Sequence, residues 1–468
     1  MRAPLAAALG AVVIAAPGAG AAGAGVAGPW VGTYSLGGPG TVTFTLNGRR
    51  AVVALGVGHA GTQTVAAATA GGHVHFQVAG RPRPLVFDAR LRRGALRGTV
   101  RQGMARGSFR ARRGRALALI APGLYRAGSS VLAVVDDPYG PARLVDLDSG
   151  EVHAVYPSGS GFDIGAGFAT REPTEGSAHF DAAGGVVHGR RAPRVAVRQL
   201  EVRFSSGSTT LSGTLTMPVG PGRRAAVAFV HGSGPTTRAY LPELSALLVR
   251  NGVAVLAYDK RGTGQSGGTY PGESPTEPAI DGLARDAAAA VRFLASQPGV
   301  DPARVGLAGH SQAGWIMPLA ATREAAVRFL LVFSGPAVTA DENDVYQDLT
   351  GEGERPQRLT DDAIDAEVLR HGPGGLDPIP WIQRLHVPAL WLYGRLDKHI
   401  PARLSVRRLE PLAREPDRDF SLAVFPNANH ALVETQTGLT AEMLRSDAFA
   451  PGLFARVRDW LREHRLAA

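Results

Sequence analysis

Three residues have the types and settings that acyl transfer needs. Ser311 lies in Gly309-His-Ser-Gln-Ala-Gly314, Asp397 ends Gly394-Arg-Leu-Asp397, and His430 ends Pro426-Asn-Ala-Asn-His430. A serine hydroxyl is a weak nucleophile, so it needs a base within hydrogen-bond reach and donors for the oxyanion its attack creates. The base in turn needs a carboxylate to fix its tautomer and stabilise its imidazolium. Gly309 and Ala313, two residues before and two after Ser311, fit a sharp strand-to-helix turn that holds the hydroxyl clear of the backbone. Ala is the next smallest residue to Gly, so its presence at the second position is a mild departure. His310 and His399 are rival bases, but one immediately precedes the nucleophile and the other follows the acid too closely. Asp341 is the fallback acid. Oxyanion donors are expected from the backbone N–H groups of Ser233 and Gln312, one in the loop after an earlier strand and one directly after the nucleophile.

Such residues converge only on a scaffold whose strand ends lie together. From about residue 196, short apolar runs alternate with helical patterns: Ala225–Val230, Val253–Tyr258, the run into Ser311, Phe329–Phe333, Val387–Tyr393 and Phe420–Phe425 are the strands, with helices over 241–251 and 280–296. Continuous apolar runs are what a parallel sheet covered on both faces requires. A hairpin, Gln199–Phe204 with Thr210–Met217, opens the region. Ligands of such sheets bind beyond the C-terminal strand ends, and His231, Asp259, Ser311, Asp397 and His430 each follow one. Asp259 and Arg261 read as a structural pair holding their loop, and His231 as the anchor of the oxyanion loop. Residues 339–380 carry eleven acids against three arginines and a helical stretch, Asp361–Arg370. They are expected to form a small lid whose acidity disfavours anionic substrates or pairs with an arginine-rich segment upstream.

The set His231-Gly-Ser-Gly, Asp259-Lys-Arg-Gly-Thr-Gly-Gln-Ser-Gly, Gly309-His-Ser-Gln-Ala-Gly, Gly394-Arg-Leu-Asp397 and Asn429-His430 resembles the α/β-hydrolase superfamily. More narrowly, it is similar to exported bacterial esterases of the prolyl-oligopeptidase and dienelactone-hydrolase-like groups that carry a β-rich N-terminal region. The resemblance spans about residues 199–465. It implies an α/β fold with a mostly parallel sheet flanked by helices, and hydrolysis of a small-molecule carboxylic ester through an acyl-enzyme on Ser311, His430 and Asp397, without a cofactor. A serine peptidase or amidase of the prolyl-oligopeptidase type uses the same machinery. A different class of reading is a non-catalytic hydrolase fold in which a basic β region binds the partner.

Upstream, residues 29–195 begin with strands that alternate with period two between glycine-rich turns, as in Thr41–Leu46 and His73–Val78, and a second series follows that includes Ser130–Val135. This predicts an all-β region, either one barrel or sandwich or two small units divided near Pro122. His73 and His75 share a strand face, and no third ligand accompanies them, so no metal site is assigned. Residues 1–28, with Arg2 and an apolar run from Leu5 to Ala16, read as a secretory signal, making the protein secreted or periplasmic. No later run reaches the length of a membrane span. The net charge of +10 is numerically accounted for by the segment Arg81 to Arg115, whose twelve arginines and one acid give +11. That segment suits contact with an anionic surface, while the absence of a nucleic-acid motif argues against DNA or RNA. With no cysteine, disulfides and thiol catalysis are excluded.

Overall fold

The computed structural model describes residues 25–36, 39–55, 63–78, 84–114, 121–136, 141–158, 161–169, 174–181 and 183–467. Of the expected signal, residues 1–24 lie outside the described residues, as do Arg81, Arg83 and Arg115. Residues 25–28 belong to the fold: Val26 is buried and its carbonyl accepts from Trp30 Nε1 at 2.8 Å. The chain forms two compact units that divide between residues 116 and 117.

The first unit is a closed antiparallel barrel of eight strands, from β1 (Gly28–Ser35) to β8 (Ala105–Arg113). Alternate residues fill it, with Trp30, Phe44, Phe76, Phe87 and Phe109 in one core. The other face is polar. Across β6 (Leu85–Arg92), β7 (Ala95–Gln102) and β8, the exposed Arg90, Arg97 and Arg110 stand directly opposite one another. His73 and His75 both meet the carboxylate of Asp88, at 3.0 and 3.1 Å.

The second unit begins with another eight-stranded antiparallel sheet, β9 (Gly123–Ala127) to β16 (Arg190–Pro193), whose first and last strands are bridged at Tyr125 and Arg194. A second sheet follows in the order β17 (Val197–Ser206), β18 (Thr209–Pro218), β20 (Ala254–Tyr258), β19 (Arg224–Val230), β21 (Val300–His310), β22 (Leu330–Phe333), β23 (Ala389–Gly394) and β24 (Phe420–Phe425). The hairpin β17–β18 joins antiparallel, and all strands from β20 onward pair parallel. Helices α1 (Pro242–Arg250) and α9 (Leu453–Glu463) cover one face of this sheet, and α2 (Glu277–Ala295), α3 (Ala313–Arg323), α6 (Ile379–Ile382) and α7 (Ala402–Ala413) the other. Helices α4 (Ala340–Thr350), α5 (Asp361–His371) and α8 (Thr440–Met443) complete the unit.

Side-chain alternation explains the uninterrupted apolar strands. In β19, Ala226, Ala228 and Val230 enter one core and Ala225, Val227 and Phe229 the other; β23 divides in the same way. The β-rich sheet shares the second of these cores. Val131, Ala133 and Val135 of β10 (Ser130–Val135) pack toward α1, while Leu132 and Val134 face the interior of their own sheet. Arg143 reaches across to the buried Glu243 of α1, with Nε donating to Oε1 at 2.6 Å. The compact units therefore divide upstream of the second β sheet, and the change of texture at residue 196 lies inside one of them.

Candidate active site

Ser311 follows β21 at φ +60°, a left-handed backbone conformation unfavourable for a side chain with Cβ. It is stabilised by its neighbours: Ser311 N donates to Phe333 O at 3.0 Å, and α3 begins two residues later. The turn leaves no room around it. A Cβ on Gly309 would lie 2.6 Å from Ala313 Cβ and 2.7 Å from Val230 O, and one on Gly314 2.6 Å from the Gly335 backbone. Gly232, in the loop after β19, faces the same turn, where a Cβ would strike the Tyr240 hydroxyl and come within 3.2 Å of Ser311 Cβ.

His430 and Asp397 are joined. His430 Nδ1 donates to Asp397 Oδ2 at 2.8 Å, and Asp397 Oδ1 accepts from the N–H groups of His399 and Ile400 at 2.8 and 3.0 Å. Burial pushes the Asp397 carboxyl up to about 6, against the pull of His399 and those two N–H groups. Burial also holds His430 well below the usual histidine range, in its neutral basic form. With Nδ1 committed to Asp397, Nε2 is the nitrogen left to take a proton. Ser311 makes no hydrogen bond to it among the described residues.

The rival histidines have other partners. His310 Nε2 donates to the His430 carbonyl at 2.9 Å, so its Nδ1 accepts from the Tyr240 hydroxyl at 2.8 Å. His399 stacks on His430 with ring centroids 4.7 Å apart, and its Nδ1 lies 3.7 Å from Glu352. The fallback acid Asp341 lies on α4 and lines an adjoining cavity away from the Asp397–His430 pair.

A cavity of about 250 Å³ opens at Ser311, lined also by Ser233, Gln312 and Trp315. The backbone N–H groups of Ser233 and Gln312 donate to no group among the described residues. His231 holds the loop after β19 to β20 through Tyr258 O at 2.5 Å. Asp259 and Arg261 do not pair with each other, contrary to the expectation from sequence. Asp259 accepts from Arg238 and from Gln265 N, and Arg261 binds Asp286 on α2, because the tight loop turns the two neighbouring side chains toward different elements. The residue between them does most for the site: the buried Lys260 donates from Nζ to Gly232 O at 2.5 Å and Gly234 O at 3.0 Å, bracketing Ser233. Sequence reasoning passed over it, although it is one of only two lysines in the chain and follows a strand end.

Residues 339–380 line this cavity and brace the loop of the acid. Asn343, Asp344 and Gln347 of α4 face it, while the Tyr346 hydroxyl donates to Asp397 O at 2.5 Å and Gln347 Nε2 to His399 O at 3.0 Å. Several of the segment's acids pair within their own unit: Glu342 with Arg408, Asp362 and Asp365 with Arg403, and Asp361 with Lys398.

Residues 221–355 match the family described as serine aminopeptidase S33, a hydrolase family, and the match takes in Ser233, Ser311 and Gln312. With the strand–turn–helix around Ser311, this match supports an α/β hydrolase. This hydrolase is 32% identical over 213 residues to an uncharacterized protein of Mycobacterium tuberculosis, covering 42% of the present chain and 64% of the relative. It thus spans somewhat under two thirds of that relative's length. Over 113 residues it is 32% identical to the thiohydrolase aneE of Aspergillus aculeatus, covering 24% of this chain and 34% of that one. Among solved structures it is similar to the esterase Pf2001 of Pyrococcus furiosus, with TM-score 0.40, 17% identity, and 57% and 90% of the two chains covered.

Proposed function

We propose that this hydrolase cleaves carboxylic esters through an acyl-enzyme on Ser311, with His430 as base, Asp397 as its orienting acid, and the N–H groups of Ser233 and Gln312 as the oxyanion hole. The observation that carries the reading is the His430–Asp397 pair packed against His310, the residue before a serine that is held at positive φ and whose cavity is lined also by Ser233 and Gln312, with undonated N–H groups. Productive binding must draw the Ser311 hydroxyl onto His430 Nε2, a tightening common when substrate enters a free site. His430 then takes the hydroxyl proton as Oγ attacks the acyl carbon and returns it to the departing alcohol. In the second half it deprotonates water, which displaces Oγ and frees the acid. We propose no cofactor for these steps.

Fluorophosphonate labelling tests the nucleophile. Wild-type protein should be labelled and Ser311→Ala should not; equal labelling of both would overturn the assignment. The amidase reading has its own support in the S33 aminopeptidase match. A panel of p-nitrophenyl esters beside aminoacyl-p-nitroanilides separates the two, and cleavage of the anilides alone would replace the ester assignment.

A further inference from the structure

The centre of the barrel is filled. Phe44 meets Phe76 with ring centroids 5.1 Å apart, Phe76 meets Phe87 at 5.0 Å and Phe87 meets Phe109 at 5.1 Å, so recognition by this unit falls to its outer face. Period-two alternation gathers the arginines of three strands there. Arg90 of β6, Arg97 of β7 and Arg110 of β8 stand directly opposite one another, Arg92 and Arg112 flank Ala95 in the adjoining row, and Arg101 opposes Arg106 farther along. All of these arginines are exposed. With strands about 4.8 Å apart and two residues spanning about 6.8 Å, they are rooted in a patch roughly 10 by 20 Å.

Nothing on the barrel neutralises this patch. None of these guanidiniums has a carboxylate within ion-pair distance among the described residues, and Asp88, the one acid that these three strands present, is held by His73 and His75. Like charges set directly opposite one another oppose strand pairing, so the arrangement works against the barrel's own stability. A partner that supplies anions removes the conflict.

A second observation narrows the partner. At the β7–β8 turn, just beyond Arg101 and Arg106, Gly103 takes φ +61° and Met104 is 100% exposed. In water that apolar side chain packs on nothing; at a bilayer surface it enters the acyl boundary while the arginines beside it reach the headgroups. Arginine suits phosphate, because its planar fork of N–H donors matches two oxygens at once. Nucleic acid fits less well, since no aromatic ring stands among the described outward residues of these strands for a base to stack on.

We propose that the arginine face of β6–β8 docks the protein peripherally on an anionic phospholipid bilayer, with the guanidiniums on headgroup phosphates and Met104 in the interface. The inference is independent of the reading of Ser311.

Flotation of the full-length protein with vesicles of phosphatidylcholine alone, or of equal parts phosphatidylcholine and phosphatidylglycerol, tests it. Binding should require the anionic lipid and weaken with added salt. The apolar run Leu5–Ala16 is uncharged and favours both vesicles alike, so the quantity read is the anionic-to-neutral binding ratio. Arg97→Thr with Arg110→Thr should lower that ratio roughly twenty-five-fold, about fivefold for each arginine, while the barrel's melting temperature does not fall. Arg101→Thr with Arg106→Thr should act alike, so the outcome does not hang on the folding of one variant. Removing the same charge from exposed positions of β17, by Arg198→Thr with Arg203→Thr, should change the ratio little. Met104→Ser should weaken binding most at high salt, where the apolar contact is what remains. A lack of preference for anionic vesicles overturns the proposal, and so does a ratio that both barrel pairs leave unchanged. An equal loss from the β17 pair also overturns it, because the attraction would then belong to net charge and not to this face. If an anionic polysaccharide or duplex DNA displaces the vesicles at matched charge and Met104→Ser has no effect, the face takes soluble polyanions and the bilayer assignment falls.

Discussion

At the scale of single residues, the site is governed by what burial does to its charges. His430 and Asp397 titrate as a coupled pair, and the proposed catalysis needs the imidazole neutral and the carboxylate ionised. As pH falls through about 6, where burial places Asp397, the pair takes up a proton and kcat/KM should fall with it; a pH–rate profile flat down to pH 4 would contradict this. Asp397→Asn should keep the fold but lower kcat by roughly 10⁴-fold by disturbing the tautomer of His430. Lys260 gives a prediction of different sign. Burial lowers its ammonium to about 8 from an ordinary 10.5, so between those values the unfolded chain binds more protons than the folded one. Stability should therefore rise with pH across that window. Lys260→Met should flatten the rise in urea denaturation series, and by releasing the carbonyls around Ser233 should lower kcat by as much as roughly 10²-fold.

Elements show where the sequence accepts strain and where it forbids change. The turn between β21 and α3 packs Gly309 against Ala313 Cβ and a backbone carbonyl, which cannot retreat as a flexible side chain could. Gly309→Val should destabilise the second unit by at least about 1–3 kcal/mol, the usual range for overpacking, read from chemical denaturation. The barrel carries the opposite kind of feature. Arg90, Arg97 and Arg110 face one another across three strands, and like charges directly opposite oppose pairing. Arg97→Thr should raise the barrel's melting temperature by relieving both contacts, an effect of about 0.2–1 kcal/mol, and the gain should shrink in high salt.

At the scale of the whole molecule, the second β sheet and the hydrolase sheet are one unit with a shared core. The buried Arg143–Glu243 pair crosses between them, and removing one partner of such a pair leaves an uncompensated charge. Arg143→Leu should cost about 3–5 kcal/mol and shift the unfolding of the β sheet and of the candidate site together, as followed by near-ultraviolet circular dichroism and by hydrolytic activity. If only the β signal moved, the shared core would not act as one cooperative unit. Export remains our proposal. Val26 is buried, and Arg113 Nη2 donates to Gly25 O at 2.6 Å, so cleavage after Ala24 would keep these contacts, whereas cleavage after Gly28 would sever them. N-terminal sequencing of secreted protein should therefore start at Gly25.

The sequence by itself determined the order of strands and helices from residue 196, because a strand buried on both faces must be apolar throughout and the pattern is local. It also marked Ser311, Asp397 and His430 as candidates, since each chemically distinctive residue directly follows such a strand. What it could not decide were relations between distant segments. Ser130–Val135 is as uninterrupted in apolar residues as the parallel strands, but only the fold shows that it is buried on both faces, one of them toward α1. The partners of Asp259 and Arg261 were likewise beyond reach, because loop curvature, not adjacency in sequence, directs side chains. The acidity of residues 339–380 was countable from composition. That some of those acids pair with Arg403 and Arg408 while Asp344 faces the cavity depends on which side of α4 meets Ser311, and packing alone fixes that.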